Sequence, residues 1–116
     1  MIPKRVLLAI ACSISLSSEA MGGEIQERLD TPAAFSFVSK KPPASLVFCI
    51  ADAISRLGAP AAFDDGPNRI VVTSSSGEKV LVAIDVVAGP TGTAVIGHIQ
   101  GRNWDDRMRQ RVASCL

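Results

Sequence analysis

The residues of this 116-residue chain best suited to proton transfer, nucleophilic attack or metal binding are few: one histidine, His98, and three cysteines, Cys12, Cys49 and Cys115. One imidazole cannot build a zinc site alone, and neither His-Glu-x-x-His nor Cys-x-x-Cys occurs. The acid best placed to work with His98 is Asp85, which strand alternation puts diagonal to it on one face of a sheet. A His–Asp pair can orient an imidazole as a general base, so His98 and Asp85 are the candidate catalytic residues of a small hydrolase or isomerase. The nucleophile is missing from that scheme. Thr93 and the Ser74–Ser76 run do not converge on His98, and there is no Gly-x-Ser-x-Gly elbow. An ordinary polar pair accounts for both residues, and the reading leans towards a protein that is not an enzyme.

Ligand motifs are equally sparse. Asp64, Asp65 and Asn68 offer oxygens in a turn but lack the alternating spacing and closing Glu of a calcium loop. Gly89-Pro90-Thr91-Gly92 has the Gly-x-x-Gly form, but it joins two strands where a KH loop joins two helices. No metal and no cofactor is expected. Arg102, Arg107, Arg109 and Arg111 make the C-terminal segment locally basic, and a binder of anionic envelope surfaces is a further alternative.

The cysteines are better read through the N-terminus. Lys4-Arg5 precede the apolar run Val6–Leu16, which ends in Ser18-Glu19-Ala20, a small-x-small exit. That pattern predicts a cleaved signal peptide over residues 1–20 and a periplasmic or extracellular protein. The run is shorter than the roughly 20 residues that span a bilayer, so no membrane span is expected. Leu8-Ala9-Ile10-Ala11-Cys12 loosely resembles a lipobox, but Ala9 stands where a large aliphatic residue is usual; a lipid anchor at Cys12 is the weaker reading. After cleavage only Cys49 and Cys115 remain. An even pair in an oxidising compartment predicts a disulfide, worth about 4 kcal/mol in the chain-entropy treatment.

Charge and composition exclude further classes. The chain carries 12 basic and 11 acidic residues, and without Lys4, Arg5 and Glu19 the two signs balance. A neutral chain with no Tyr and one Trp has neither the field nor the stacking surface for nucleic acid.

Position must then come from the elements. Gly22-Gly23 and Pro42-Pro43 punctuate residues 21–44, which read as a flexible N-terminal arm or linker, with Phe35–Val38 as a short strand or arm laid on the domain. The domain proper is expected over residues 45–116. Ser45 is placed to cap a helix from Leu46 to about Leu57, stopped by Gly58 in a left-handed conformation and by Pro60. Leu46, Ile50, Ile54 and Leu57 share a side of it, whereas Phe48 falls on the polar side, where the Phe35–Val38 arm is expected to cover it, with a partner-binding anchor as the weaker reading.

Strands are predicted over Ile70–Thr73, Lys79–Val87 and Thr93–Gln100, with hairpin loops at Ser74–Gly77 and Gly89–Gly92. A last helix is capped by Asn103 and carries Trp104, Met108, Val112 and Cys115 on one face. The expected fold is α+β, in the order α-β-β-β-α. It is a three-stranded antiparallel meander with two helices packed on one face and joined by Cys49–Cys115.

A four-residue loop at Gly89–Gly92 pairs Ala88 with Thr93, Val86 with Val95, Ile84 with Gly97 and Val82 with Ile99, an apolar face that belongs under the helices. The other face carries Leu81, Ala83, Asp85 and Val87 opposite Gln100, His98, Ile96 and Ala94. It is nearly as apolar, and no predicted helix covers it. Leu81, Ala83, Val87 and Ile96 are therefore the candidate binding residues of a non-enzymatic interaction module, for a protein partner or a homodimer.

Overall fold

The computed structural model describes residues 23–101 and 105–116; the leader with Cys12, together with Asn103 and Trp104, lies outside them. The chain is α+β. Helix α1 covers residues 23–29, followed by strand β1 (Phe35–Ser39), helix α2 (Pro43–Ile54), strands β2 (Ala59–Asp64), β3 (Arg69–Ser76), β4 (Lys79–Gly89) and β5 (Gly92–Ile99), and helix α3 (Asp105–Ala113). All neighbouring strands are antiparallel, in the spatial order β1-β5-β4-β3-β2.

The sheet thus has five strands, and the three-stranded meander is only its centre. Both additional strands are edges. β1 pairs with β5, and α2 carries the chain across the sheet to the far edge, where β2 pairs with β3. β2 reads Ala-Pro-Ala-Ala-Phe-Asp, poor in β-branched residues and broken by a proline, so its sequence resembles the exit of a helix. Much of the stretch expected to be a tether, residues 21–44, is structured, since it carries α1, β1 and the first residues of α2.

The centre follows the alternation of the sequence. Ala88 pairs with Thr93, Val86 with Val95, Ile84 with Gly97 and Val82 with Ile99, and the ladder gains one more pair at Gly89–Gly92. The β3–β4 hairpin is tighter than expected. Its turn is Gly77-Glu78, and Ser76 pairs with Lys79. The extra length is absorbed by a bulge on β4, because Ser74 faces Val82 while Ser75 faces Val80, leaving Leu81 unpaired between them.

α2 begins earlier than Ser45. Pro42 holds the cap position in extended geometry (φ −69°, ψ 157°) and Pro43 fills the first turn, where a missing N–H has no helical partner to lose. The helix ends at Ile54. Gly58 is not left-handed; it is glycine because a Cβ there would run into the carbonyl of Ser75 as the chain passes the bulge.

The inner face of the sheet and the two longer helices form the main core. Leu46, Ile50 and Ile54 of α2 and Met108 and Val112 of α3 pack on Val72, Val82, Ile84, Val86 and Val95, all fully buried or nearly so. Cys49 and Cys115 close the bridge between the helices, with Cα atoms 5.7 Å apart. Lys41 Nζ donates to the Cys115 carbonyl at 2.9 Å, tying the entry to α2 to the exit from α3.

The opposite face has its own, smaller core. α1 lays Ile25 and Leu29 over Val71, Val80 and Ala83. Arg28 Nε donates to the Val80 carbonyl at 3.1 Å, and His98 Nδ1 lies 2.8 Å from the Thr31 carbonyl. Both contacts anchor the segment around α1 to the sheet.

Candidate functional site

Rows of paired residues define the outer face. One row runs Ala61, Thr73, Ala83, His98, the next Phe63, Val71, Asp85, Ile96, Ser36, and a third Arg69, Val87, Ala94, Val38. α1 sits over the end of the sheet nearest Ala83 and Val80, so the face is divided. One part is a packed interface within the chain. The other, centred on the third row, is open.

This division redistributes the four candidate binding residues. Ala83 is completely buried beneath α1. Leu81 is turned by the β4 bulge towards the main core, where it lines a small cavity of about 120 Å³ with Arg56, Leu57 and Gln100. Val87 and Ile96 remain on the open part, each half-buried. Beside them lies Val38 of β1, 66% exposed, with Ala94 between Val38 and Val87 in the same row. Val38 belongs to the patch because β1 joins the sheet. The β-branched residue at the end of Phe35–Val38 was the only sequence signal for it.

The candidate catalytic pair is not assembled. Both oxygens of Asp85 are engaged by Arg69, from Nε at 2.7 Å and from Nη2 at 2.9 Å, in a bidentate fork. Arg69 also donates from Nη1 to Asp65 at 2.9 Å. The hydrogen bond to Asp85, with the charge of both carboxylates, holds the guanidinium above its ordinary range against the smaller effect of burial. Asp65, one of the three oxygen donors in the turn, is thereby committed to Arg69.

His98 is buried and faces α1. A carbonyl oxygen can only accept, so Nδ1 carries the proton in the bond to Thr31, and the imidazole acts as a strut. Hydroxyls are badly placed to join it. Ser74 pairs with Pro60 and Val82 on the inner face, and Thr93 donates to the Lys41 carbonyl at 2.7 Å. Thr73 shares the row of His98 but stands two strand spacings away, about 10 Å.

Two other features lie apart from the outer face. Phe48 of α2 is 89% exposed, because the arm expected to cover it is instead strand β1. On α3, Arg109 pairs with Asp106 at 2.6 Å, while Arg107 is exposed and Arg111 half-buried. Basic side chains in the last turn complement the negative end of a helix, which accounts for Arg111 without a ligand.

No family model, curated protein or solved structure matches the chain. No helix among the described residues is long and apolar enough to cross a membrane.

Proposed function

We propose that the protein is a small exported interaction module, without catalytic chemistry of its own, that docks a protein partner on the open part of its outer sheet face. The observation that carries the reading is the apolar row of exposed Val38 and half-buried Ala94 and Val87, with half-buried Ile96 beside it, where α1 stops covering the sheet. An apolar stripe beside a polar fixture is the anatomy of a docking surface, and the Arg69–Asp85 pair at its border is already satisfied internally. The Cys49–Cys115 bridge agrees with an oxidising compartment, and the N-terminal pattern of basic residues, apolar run and small-x-small exit supplies the route to it.

Native electrophoresis of envelope extracts tests the reading. The protein is expected in a complex with a different protein, and Val87→Glu is expected to release it while changing its unfolding free energy by no more than about 0.5 kcal/mol, as for a surface change. A complex with a different protein that survives both Val87→Glu and Ile96→Glu would end the proposal for this face.

A further inference from the structure

Among the described residues, the outer edge of β2 pairs with no other strand, a feature independent of the open face. Every residue from Ala59 to Asp64 is exposed, and Phe63, next to the last of them, is 43% exposed. The phase of the strand follows from one bond. The Asp65 N–H donates to the Arg69 carbonyl at 2.9 Å, so the odd-numbered residues turn their backbone groups towards β3. The even-numbered residues, Pro60, Ala62 and Asp64, therefore turn theirs outwards. The missing N–H of Pro60 falls on the open side, where the sheet loses nothing by it. Ala62 presents both a donor and an acceptor.

The edge is complementary to itself. When two copies of β2 run antiparallel about a two-fold axis at Ala62, each Ala62 exchanges both hydrogen bonds with its counterpart. Asp64 then stands opposite Pro60 of the other copy and donates its N–H to the proline carbonyl, which needs nothing Pro60 lacks. On the outer face Ala61 stands beside Phe63 of the other copy, small against large on both sides of the axis. The two Phe63 rings lie on the diagonal, about 7–8 Å apart, within aromatic reach. No lysine or arginine interrupts the strand, whereas the opposite edge, β1, runs into Lys40-Lys41.

We propose that the protein self-associates through this edge, two copies joining their five-stranded sheets into one continuous sheet across the β2 strands. The contact is isologous and closes at two copies. It leaves Val38, Val87, Ala94 and Ile96 free, so it does not depend on the docking role of that face.

Sedimentation equilibrium on the protein purified after expression of the full chain decides it. The expected species is a dimer. Ala62→Pro removes the outward N–H without removing a bond inside the sheet, and symmetry counts the loss twice, so the dissociation constant should rise about tenfold or more. Ala61→Lys sets a charge against the facing Phe63 ring and should have the same effect, which keeps the test valid if the proline variant folds poorly. Val87→Glu should leave the dimer intact. A protein monomeric at every concentration, or a dimer that survives Ala61→Lys, overturns the proposal. So does a β2 edge shown to pair with a strand of a different protein.

Discussion

Phe35 lies with its ring against the Cα of Gly97, the residue directly opposite it across β1 and β5. The absence of a side chain on Gly97 makes the seat for the ring, and Phe37 packs beside it with ring centroids 5.4 Å apart. The edge strand is thus locked to the meander by an aromatic that fills the gap of a glycine. Gly97→Val should evict the ring and destabilise the protein by about 1–3 kcal/mol, the usual cost of overpacking a core. Urea denaturation reads this directly. The cost should shrink when Phe35→Ala is combined with it, since the two changes share one contact. Additive losses would deny the pairing.

The same contact shows where sequence reasoning ran out. The β4–β5 register was legible because Val82, Ile84, Val86 and Val95 alternate cleanly and the Gly89–Gly92 turn fixes their phase. The Cys49–Cys115 bridge was legible because setting the leader with Cys12 aside leaves an even pair of cysteines, and their pairing in turn put α2 and α3 on one face of the sheet. Edges carry a weaker signal. β1 and β2 each pair on one side only, so their residues need not alternate strongly, and Pro60 disguises β2 further. The candidate site shifted for two local reasons. A bulge at Leu81 turned its side chain to the other face, and Ile25 and Leu29, read as part of an arm, covered Ala83. A one-residue register change has no signature in hydrophobicity alone.

The disulfide should be structural throughout. It joins residues 66 apart in sequence, and Cys115 is buried at the foot of α3. Replacing both cysteines by alanine should lower stability by about 2–4 kcal/mol. The largest rise in amide exchange should fall in α3, whose main neighbour among the elements is α2, to which the bridge ties it. Equal stability of the oxidised and the alanine forms in chemical denaturation would contradict the role assigned to the bridge.

Arg69 should matter through Asp85 more than through Asp65. The Asp85 side chain is 16% exposed and holds the bidentate fork, whereas Asp65 is largely in solvent. Arg69→Leu strands a carboxylate at the border of the open face and should cost about 1–3 kcal/mol, and Asp85→Asn should recover part of it. Because the pairing raises the guanidinium above its ordinary range, its contribution is complete below the unfolded value and fades only in strong alkali. The penalty of Arg69→Leu arising from the guanidinium should therefore be flat between roughly pH 6 and 9. Thermal melts across that interval check it, and a penalty that vanishes towards pH 9 would contradict it.

The central claim concerns the open face, and site-specific photo-cross-linking in cells that express the full chain tests it most directly. A photoreactive side chain at Val38 or Val87 should yield a discrete heavier adduct, and the same group at Glu78, in the exposed β3–β4 turn, should not. Adducts from Glu78 equal to those from Val87, or none from Val38 and Val87 alike, would contradict the assignment of that face as the place where a partner binds.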